Sequence, residues 1–167
     1  MSFVYFIGDT HFGHKNVCNF RTQFSTVEDH DQFIIDQIMT TVSKRDTLWL
    51  MGDLFFTRES IKYFHQMNDK FNVRVVLGNH ETDSAERRMI LVDIINSGVQ
   101  VHAVTSFRDC LLSHAPIHPD QMRGKSLNIH GHMHDKVLDD KLYFNVSCEN
   151  IEYKPIKFSE IMERSKL

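Results

Sequence analysis

Three short apolar runs in the first half of the chain each end at a glycine that is followed by polar residues. Their residues are mostly aromatic, β-branched or leucine, a composition typical of buried strands. If each run forms a strand, the polar residues that follow it lie in the loop after the strand. The runs and their polar ends are Phe3–Ile7 before Gly8-Asp9, Thr47–Met51 before Gly52-Asp53, and Val73–Leu77 before Gly78-Asn79-His80.

Helical patterns separate these runs. The Ser25-x-x-Glu28 sequence has the form of a capping box, and apolar residues at helical spacing follow it through 34–42. Thr57 is predicted to cap a short second helix, and a third is predicted over 83–96, ended by Gly98. Because strand, loop and helix alternate three times, we expect parallel strands joined by crossover helices.

The second half of the chain has a different pattern. Strand-like runs occur without a convincing helix between them, which predicts a mixed or second sheet, and a last helix is expected from Ser159 onward. No repeat or Pro/Gly-rich linker divides the sequence, so one domain is predicted over 1–167. The strand-like runs lie around Val99–Val104, Phe107–Ser113, Ser126–His130 and Leu142–Val146.

Charge and cysteine content limit the functional classes. The net charge of -3 argues against a general electrostatic attraction to nucleic acid. Cys18, Cys110 and Cys148 lack paired spacing, so we expect packed thiols and a reducing, cytoplasmic compartment. The N-terminal apolar run is too short for a signal peptide or a membrane span, so no membrane association is expected.

Histidine is enriched, with eleven in 167 residues, and most of these lie in or beside the motifs that follow strands. It is the commonest metal ligand and also transfers protons near neutral pH. Taken alone, the first two motifs could be ordinary turns, and the last could be a structural metal site or a pair of surface histidines. Together, however, the motifs place carboxylate, imidazole and amide groups after several predicted strands, and this combination favours a site for divalent metals. The motifs are Asp9-x-His11, Gly52-Asp53, Gly78-Asn79-His80, Ser113-His114 and Gly131-His132-x-His134.

This order of motifs resembles that of the calcineurin-like metallophosphoesterase superfamily, and it runs from residue 9 to residue 134. The segments Asp9–His14 and Tyr153–Pro155 are similar to those of a small branch of single-domain phosphoesterases. The resemblance implies an α/β fold, a four-layer α/β/β/α sandwich of two mixed β-sheets flanked by helices. It also implies a two-metal centre above the sheets.

Carried over by position, the resemblance assigns seven ligands. His80 matches a histidine that is not a ligand but reaches towards the substrate phosphate and leaving group. His130 alternates with His132 and His134, and it is expected to support the ligands or the structure without binding a metal itself. His14 and Arg21 are candidate substrate-binding residues, and His118 is a weaker candidate for the pocket wall. The first ion would take Asp9, His11 and His134; the second would take Asn79, His114 and His132; Asp53 would bridge both.

The resemblance implies hydrolysis of phosphate esters by a bridging hydroxide held between two divalent ions. Manganese is the first expectation, with iron, zinc, nickel or cobalt as alternatives. Phosphodiesters are favoured as substrates, such as a nucleotide or a nucleic-acid end. The alternatives are a phosphomonoesterase with the same mechanism and a non-catalytic binding or scaffold module. A structural zinc protein is a weaker choice, because such sites favour closed sets of four ligands, often with cysteine.

Overall fold

The computed structural model describes residues 1–165, and these form two mixed β-sheets and four α-helices, with short 3-10 turns between them. This confirms the predicted α/β fold with two mixed sheets and flanking helices. Residues 166 and 167 of the predicted domain lie outside the described residues. The elements are β1 Val4–Ile7, α1 Val27–Thr41, β2 Thr47–Leu50, α2 Ile61–Asn68, β3 Asn72–Val76, α3 Ala85–Asn96, β4 Gln100–His102, β5 Val104–Phe107, β6 Cys110–Ser113, β7 Leu127–His130, β8 Tyr143–Asn145, β9 Ile156–Lys157 and α4 Phe158–Arg164.

The first sheet has the strand order β4-β3-β2-β1-β9. The strands β1 to β4 are parallel, as the alternation of strands and helices predicts, and β9 pairs antiparallel with β1. Strands β1 and β2 are buried along nearly their whole length, which explains why their sequences are apolar without alternation. Strand β9 was not predicted from the sequence, because two residues are too few to show a periodicity.

The second sheet has the order β5-β6-β7-β8, with β5 and β6 antiparallel and β6, β7 and β8 parallel. The predicted strand-like run around Phe107–Ser113 contains β6, but the strand begins only at Cys110, because Arg108, with a φ of 53°, lies in the hairpin turn that joins β5 to β6. The run Val99–Val104 is also divided, with β4 in the first sheet and the start of β5 in the second.

Helix starts differ from prediction by a residue or two. Thr26, not Ser25, caps α1, and its Oγ1 accepts from the Asp29 N–H at 3.0 Å. Thr57 is the N-cap of a 3-10 turn that runs directly into α2. Helix α3 begins after Ser84, whose side chain accepts from the Arg87 N–H. Helices α1 and α3 therefore each begin after a hydroxyl side chain that accepts a backbone N–H.

One hydrophobic core joins the two sheets. The Phe6 ring of β1 packs against Phe107 at the end of β5, with centroids 6.1 Å apart, and Phe158 of α4 lies 6.3 Å from Phe6. Phe6 is fully buried, and burial of such a side chain stabilises a fold by about 1.5–3 kcal/mol, whereas Phe107 and Phe158 are partly buried. At one rim of this core, Gly8 and Ser147 form a parallel bridge between the loops that follow β1 and β8. The carboxyl ends of both sets of parallel strands therefore meet.

Candidate metal centre

All seven predicted ligands follow the carboxyl ends of strands at this rim. The first sheet supplies four of them after β1, β2 and β3, and the second sheet supplies three after β6 and β7. The fold brings the complete set together, as expected for ligands at strand ends of an open α/β sheet. The first-sheet ligands are Asp9, His11, Asp53 and Asn79, and the second-sheet ligands are His114, His132 and His134.

Five of these seven residues have a left-handed backbone, which is uncommon for residues other than glycine. Such strain costs about 1–3 kcal/mol per residue and concentrates at functional sites. The clustering of these residues marks this rim as a candidate functional site. The φ angles are 55° at Asp9, 50° at His11, 53° at Asp53, 67° at His132 and 51° at His134.

Glycines of the motifs make room for these side chains. Gly52 has a φ of 91°, and a Cβ atom there would collide with Nδ1 of His114. A Cβ at Gly131 would collide with Oδ2 of Asp9. Both collisions involve a predicted ligand, so glycine at these two positions permits the close approach of backbone and ligand.

Asp9, His11 and His134 form the first group of candidate ligands, with one donor atom of each within 4.8 Å of the others. The Nε2 atom of His11 is buried and has no hydrogen-bond partner among the described residues. Burial lowers the pKa of His11 well below its usual value, so the ring is neutral and available as a ligand. An orphaned imidazole nitrogen facing a carboxylate fits a divalent ion.

Asp53, His114 and His132 form the second group, again with donor atoms within 4.8 Å. Nε2 of His114 lies 3.1 Å from Oδ2 of Asp53, 3.1 Å from Oδ1 of Asn79 and 3.2 Å from Nδ1 of His132. Four donor atoms thus converge on a small volume, and carboxylate, amide and imidazole suit a borderline divalent metal. That Asp53 bridges two ions stays a prediction.

The second group carries a strong ion pair when no metal is bound. Burial raises the pKa of Asp53, but the hydrogen bond to His114 outweighs it and holds the pKa at about 2. Burial likewise lowers the pKa of His114, and the bond to Asp53 reverses this and raises it to about 9. The metal-free protein therefore keeps a proton on His114 that a metal ion would displace.

Two ligand histidines are oriented through the ring nitrogen that points away from the site. Nδ1 of His114 donates to the carbonyl oxygen of Met51 at 2.8 Å, and Nδ1 of His134 donates to Oε1 of Glu149 at 3.1 Å. Each bond leaves Nε2 as the free donor atom, which is the usual arrangement around metal-bound histidines.

His80 belongs to neither ligand group. Its backbone N–H donates to Oδ1 of Asp53 at 2.9 Å, and its Nε2 lies 3.9 Å from Oδ2 of the same carboxylate. Nδ1 is hydrogen-bonded to Asp83, so the ring is oriented from behind and presents Nε2 to the site. The side chain is 37% exposed, which leaves it accessible to a substrate.

A cleft of about 700 Å³ opens beside the first ligand group. His11, His14, His80 and His134 line it, and the Phe56 ring lies 4.8 Å from His11, 4.6 Å from His14 and 5.3 Å from His80. Nδ1 of His14 is buried without a hydrogen-bond partner in the described part of the chain. His14 thus lines the cleft, and substrate binding by it stays a prediction.

Arg21, the other predicted substrate-binding residue, borders the same cleft but is only 3% exposed. Its guanidinium bonds Glu149, the backbone oxygens of Asp9 and Thr10, and the ring of His30. Substrate binding by Arg21 stays a prediction, and the contacts favour a role in holding the surrounding loops.

The remaining histidine candidates lie outside the two ligand groups. His130 is fully buried and its Nδ1 donates to the carbonyl oxygen of Gly131 at 2.8 Å, which places it in the core below the site. The His118 side chain is 73% exposed and pairs with Asp120 on a separate loop. Neither borders the cleft of about 700 Å³.

Three acidic residues hydrogen-bond to residues of the site but were not predicted from the sequence: Asp83, Glu149 and Glu81. The Glu81 carboxylate accepts the N–H groups of Asp53, at 3.2 Å, and of Leu54, at 2.8 Å, and so holds the Asp53 loop. Glu149 follows the predicted strand at Leu142–Val146, and the strand-end rule applied to the other ligands would have found it.

The chain was compared with known proteins. The family model for calcineurin-like phosphoesterases matches residues 4–164. An uncharacterised protein of Methanocaldococcus jannaschii is 27% identical over 96% of this chain and 89% of its own length. The Gene 66 protein of Mycobacterium phage L5 is 27% identical over 83% of this chain and 80% of its own.

A solved structure supports the same fold. A protein of unknown function from Aquifex aeolicus superimposes with a TM-score of 0.74 at 23% identity, over 98% of this chain and 100% of that one. The family match covers nearly all the described residues and includes every predicted ligand. The chain therefore belongs to the calcineurin-like phosphoesterases, hydrolases that act on phosphate esters.

Proposed function

We propose that this protein is a metal-dependent phosphodiesterase that uses two divalent ions. The observation that carries the proposal is the arrangement of two adjacent three-residue ligand groups, with His80 beside them and outside both. A structural metal site would close its ligands around one ion. Here the first group instead borders an open cleft of about 700 Å³.

The ligand residues would hold the two ions and connect them to His80. When bound, the two ions would supply Lewis-acid activation of water and of the phosphate oxygens. Asp53 lies in the second group and also accepts the His80 backbone N–H, so it couples the ligand set to the catalytic histidine. The groups that would hold the ions are Asp9, His11 and His134 for one, and Asn79, His114 and His132 for the other.

His80 is proposed to protonate the leaving oxygen or to stabilise its charge. Its Nδ1 is held by Asp83 and its Nε2 faces the site, so proton delivery needs no rotation of the ring. A positioned general acid contributes about 10²–10⁴-fold to such a reaction. His14, on the cleft wall, is proposed to contact a substrate oxygen.

Phosphodiesters, such as a nucleotide or a nucleic-acid end, are our preferred substrates, and manganese is the preferred metal. The volume of the cleft, about 700 Å³, supports this preference, because a diester carries a second ester group that a monoester lacks. We also propose a reducing, cytoplasmic location, consistent with three free cysteines. Among the described residues, no helix combines the length and apolar character that crossing a membrane requires.

The test compares bis-p-nitrophenyl phosphate with p-nitrophenyl phosphate, each with added Mn²⁺, Ni²⁺, Zn²⁺ or Mg²⁺. We expect faster turnover of the diester with Mn²⁺. Faster turnover of the monoester would favour the phosphomonoesterase alternative. Absence of turnover with every metal would favour a binding or scaffold module, and a screen of nucleoside monophosphates, cyclic nucleotides and short oligonucleotides would follow a positive result.

A further inference from the structure

A partly buried carboxylate, that of Glu149, links one of the two ligand groups to an arginine. Oε1 of Glu149 lies 3.1 Å from Nδ1 of His134 and 2.8 Å from Nε of Arg21, so one oxygen accepts from both. The hydrogen bond from Nδ1–H fixes the His134 tautomer that leaves Nε2 free. Glu149 thereby sets both the ring orientation and the donor atom of His134.

Arg21 extends this link to the loop of a second ligand. Its Nη2 donates to the carbonyl oxygen of Asp9 at 2.6 Å, and its Nη1 lies 2.8 Å from Nε2 of His30. Because Asp9 has a left-handed backbone with a φ of 55°, this bond holds a strained peptide in place. The Arg21–Glu149 pair therefore spans the two loops that carry Asp9 and His134.

Helix α1 anchors the other end of this chain of contacts. Nδ1 of His30 donates to Oδ1 of Asp31 at 2.8 Å, and Oδ2 of Asp31 accepts the Gly13 N–H at 2.8 Å. Gly13 lies two residues after His11, so the loop of that ligand is tied to the same helix. The contacts thus reach the loops of all three residues in the first ligand group.

The second ligand group is held by different contacts. Its His114 is oriented by a neutral backbone oxygen, that of Met51, at 2.8 Å. Its Asp53 loop is held by Glu81 through backbone N–H groups. Within the described residues the Arg21–Glu149 pair makes no direct contact with this group. The two groups meet at Asp9, whose Oδ2 accepts the His132 N–H at 2.9 Å, so any effect of the pair on the second group is indirect.

We propose that Arg21 and Glu149 are positioning residues that set the affinity of the ion held by Asp9, His11 and His134, with a smaller, indirect effect on the ion held by the second group. The inference rests on the proposed function only in requiring two bound ions. Loss of a supporting partner of this kind typically weakens metal binding about 10–100-fold.

The experiment measures Mn²⁺ binding by titration calorimetry without substrate, in variants that isolate each group. His132→Ala removes a ligand of the second group and leaves the first to be measured, and His134→Ala does the reverse. Glu149→Ala is then added to each. We expect Mn²⁺ affinity to fall about 10–100-fold in the His132→Ala background. In the His134→Ala background it should fall by a clearly smaller factor, because among the described residues neither Glu149 nor Arg21 contacts a ligand of the second group directly.

Asp93→Asn is the matched control, because it breaks an exposed contact of a carboxylate with Arg58, at 3.1 Å, away from the ligands. It should leave both Mn²⁺ affinities unchanged. Arg21→Met should reproduce the effect of Glu149→Ala in the His132→Ala background. If Glu149→Ala does not fold, Glu149→Gln is measured in the same backgrounds, with a smaller loss expected, again mainly for the same ion.

Equal losses in both backgrounds, or no loss in either, would overturn the inference. Failure of the wild-type protein to bind two Mn²⁺ ions would instead contradict the proposed function. Wild-type binding of two ions, combined with unchanged affinity in Glu149→Ala, would leave the function standing and remove the positioning role. The two failures are therefore distinguishable by metal titration alone.

Discussion

Oδ2 of Asp53 lies 3.1 Å from Nε2 of His114, and the two residues come from different sheets. Asp53 follows β2 of the first sheet and His114 follows β6 of the second. Their contact therefore forms only when the sheets pack with their strand ends aligned. The pair is also buried, so its ionisation contributes to folding when metal is absent.

The first prediction concerns the pH dependence of stability in metal-free protein. Because the pKa of His114 is raised from 6.5 to about 9, its contribution is fully present below pH 6.5 and is lost as the pH rises through 9. The loss should be at most about 3 kcal/mol. Urea unfolding with a chelator between pH 6 and 9.5 measures it. His114→Gln should flatten this dependence, and an identical dependence in the variant would contradict the assignment.

The second prediction concerns Asp53. Asp53→Asn removes the carboxylate charge from the second ligand group, so Mn²⁺ affinity and kcat/KM should both fall by at least about 100-fold. Metal content after dialysis and hydrolysis of bis-p-nitrophenyl phosphate measure the two effects. Asp93→Asn, on the surface of α3, serves as the control and should match the wild type. Retention of full metal content and activity by Asp53→Asn would be inconsistent with a ligand role.

The third prediction separates His80 from the ligands. His80→Ala should lower kcat by about 10²–10⁴-fold for a substrate with an alkyl leaving group, while Mn²⁺ content stays unchanged. The loss should be smaller with p-nitrophenolate, because this leaving group departs without protonation. Paired kinetics with methyl and p-nitrophenyl esters measure the difference. Equal losses for both leaving groups would argue against proton donation by His80.

The fourth prediction concerns the three cysteines. Burial raises the pKa of Cys110 to about 11 and raises that of Cys148 as well, whereas Cys18 is partly exposed. Because the thiolate is the reactive form, Cys18 alone should react rapidly with Ellman's reagent in native protein at pH 8. The other two should react after denaturation. A rapid phase that persists in Cys18→Ser would disprove this assignment.

Much of the site could be predicted because ligand chemistry is local in sequence. Strand ends are marked by glycine and polar residues, so Asp9, Asp53 and Asn79 stand out directly after apolar runs. The order of motifs then indicated the family, which the match over residues 4–164 confirms. The structure also brings Asp9, His11 and His134 into one cluster and Asp53, His114 and His132 into another, while the assignment of each residue to a metal ion stays a prediction.

The sequence alone determined the identity of the candidate ligands and the parallel character of the first sheet, since both depend on residue type and local periodicity. The tertiary structure decided which residues orient those ligands. Glu149 is brought to His134, and Arg21 to Asp9, only when distant loops meet at the aligned strand ends of two sheets. Such contacts depend on the three-dimensional approach of chain segments, and no local pattern of side chains encodes that approach.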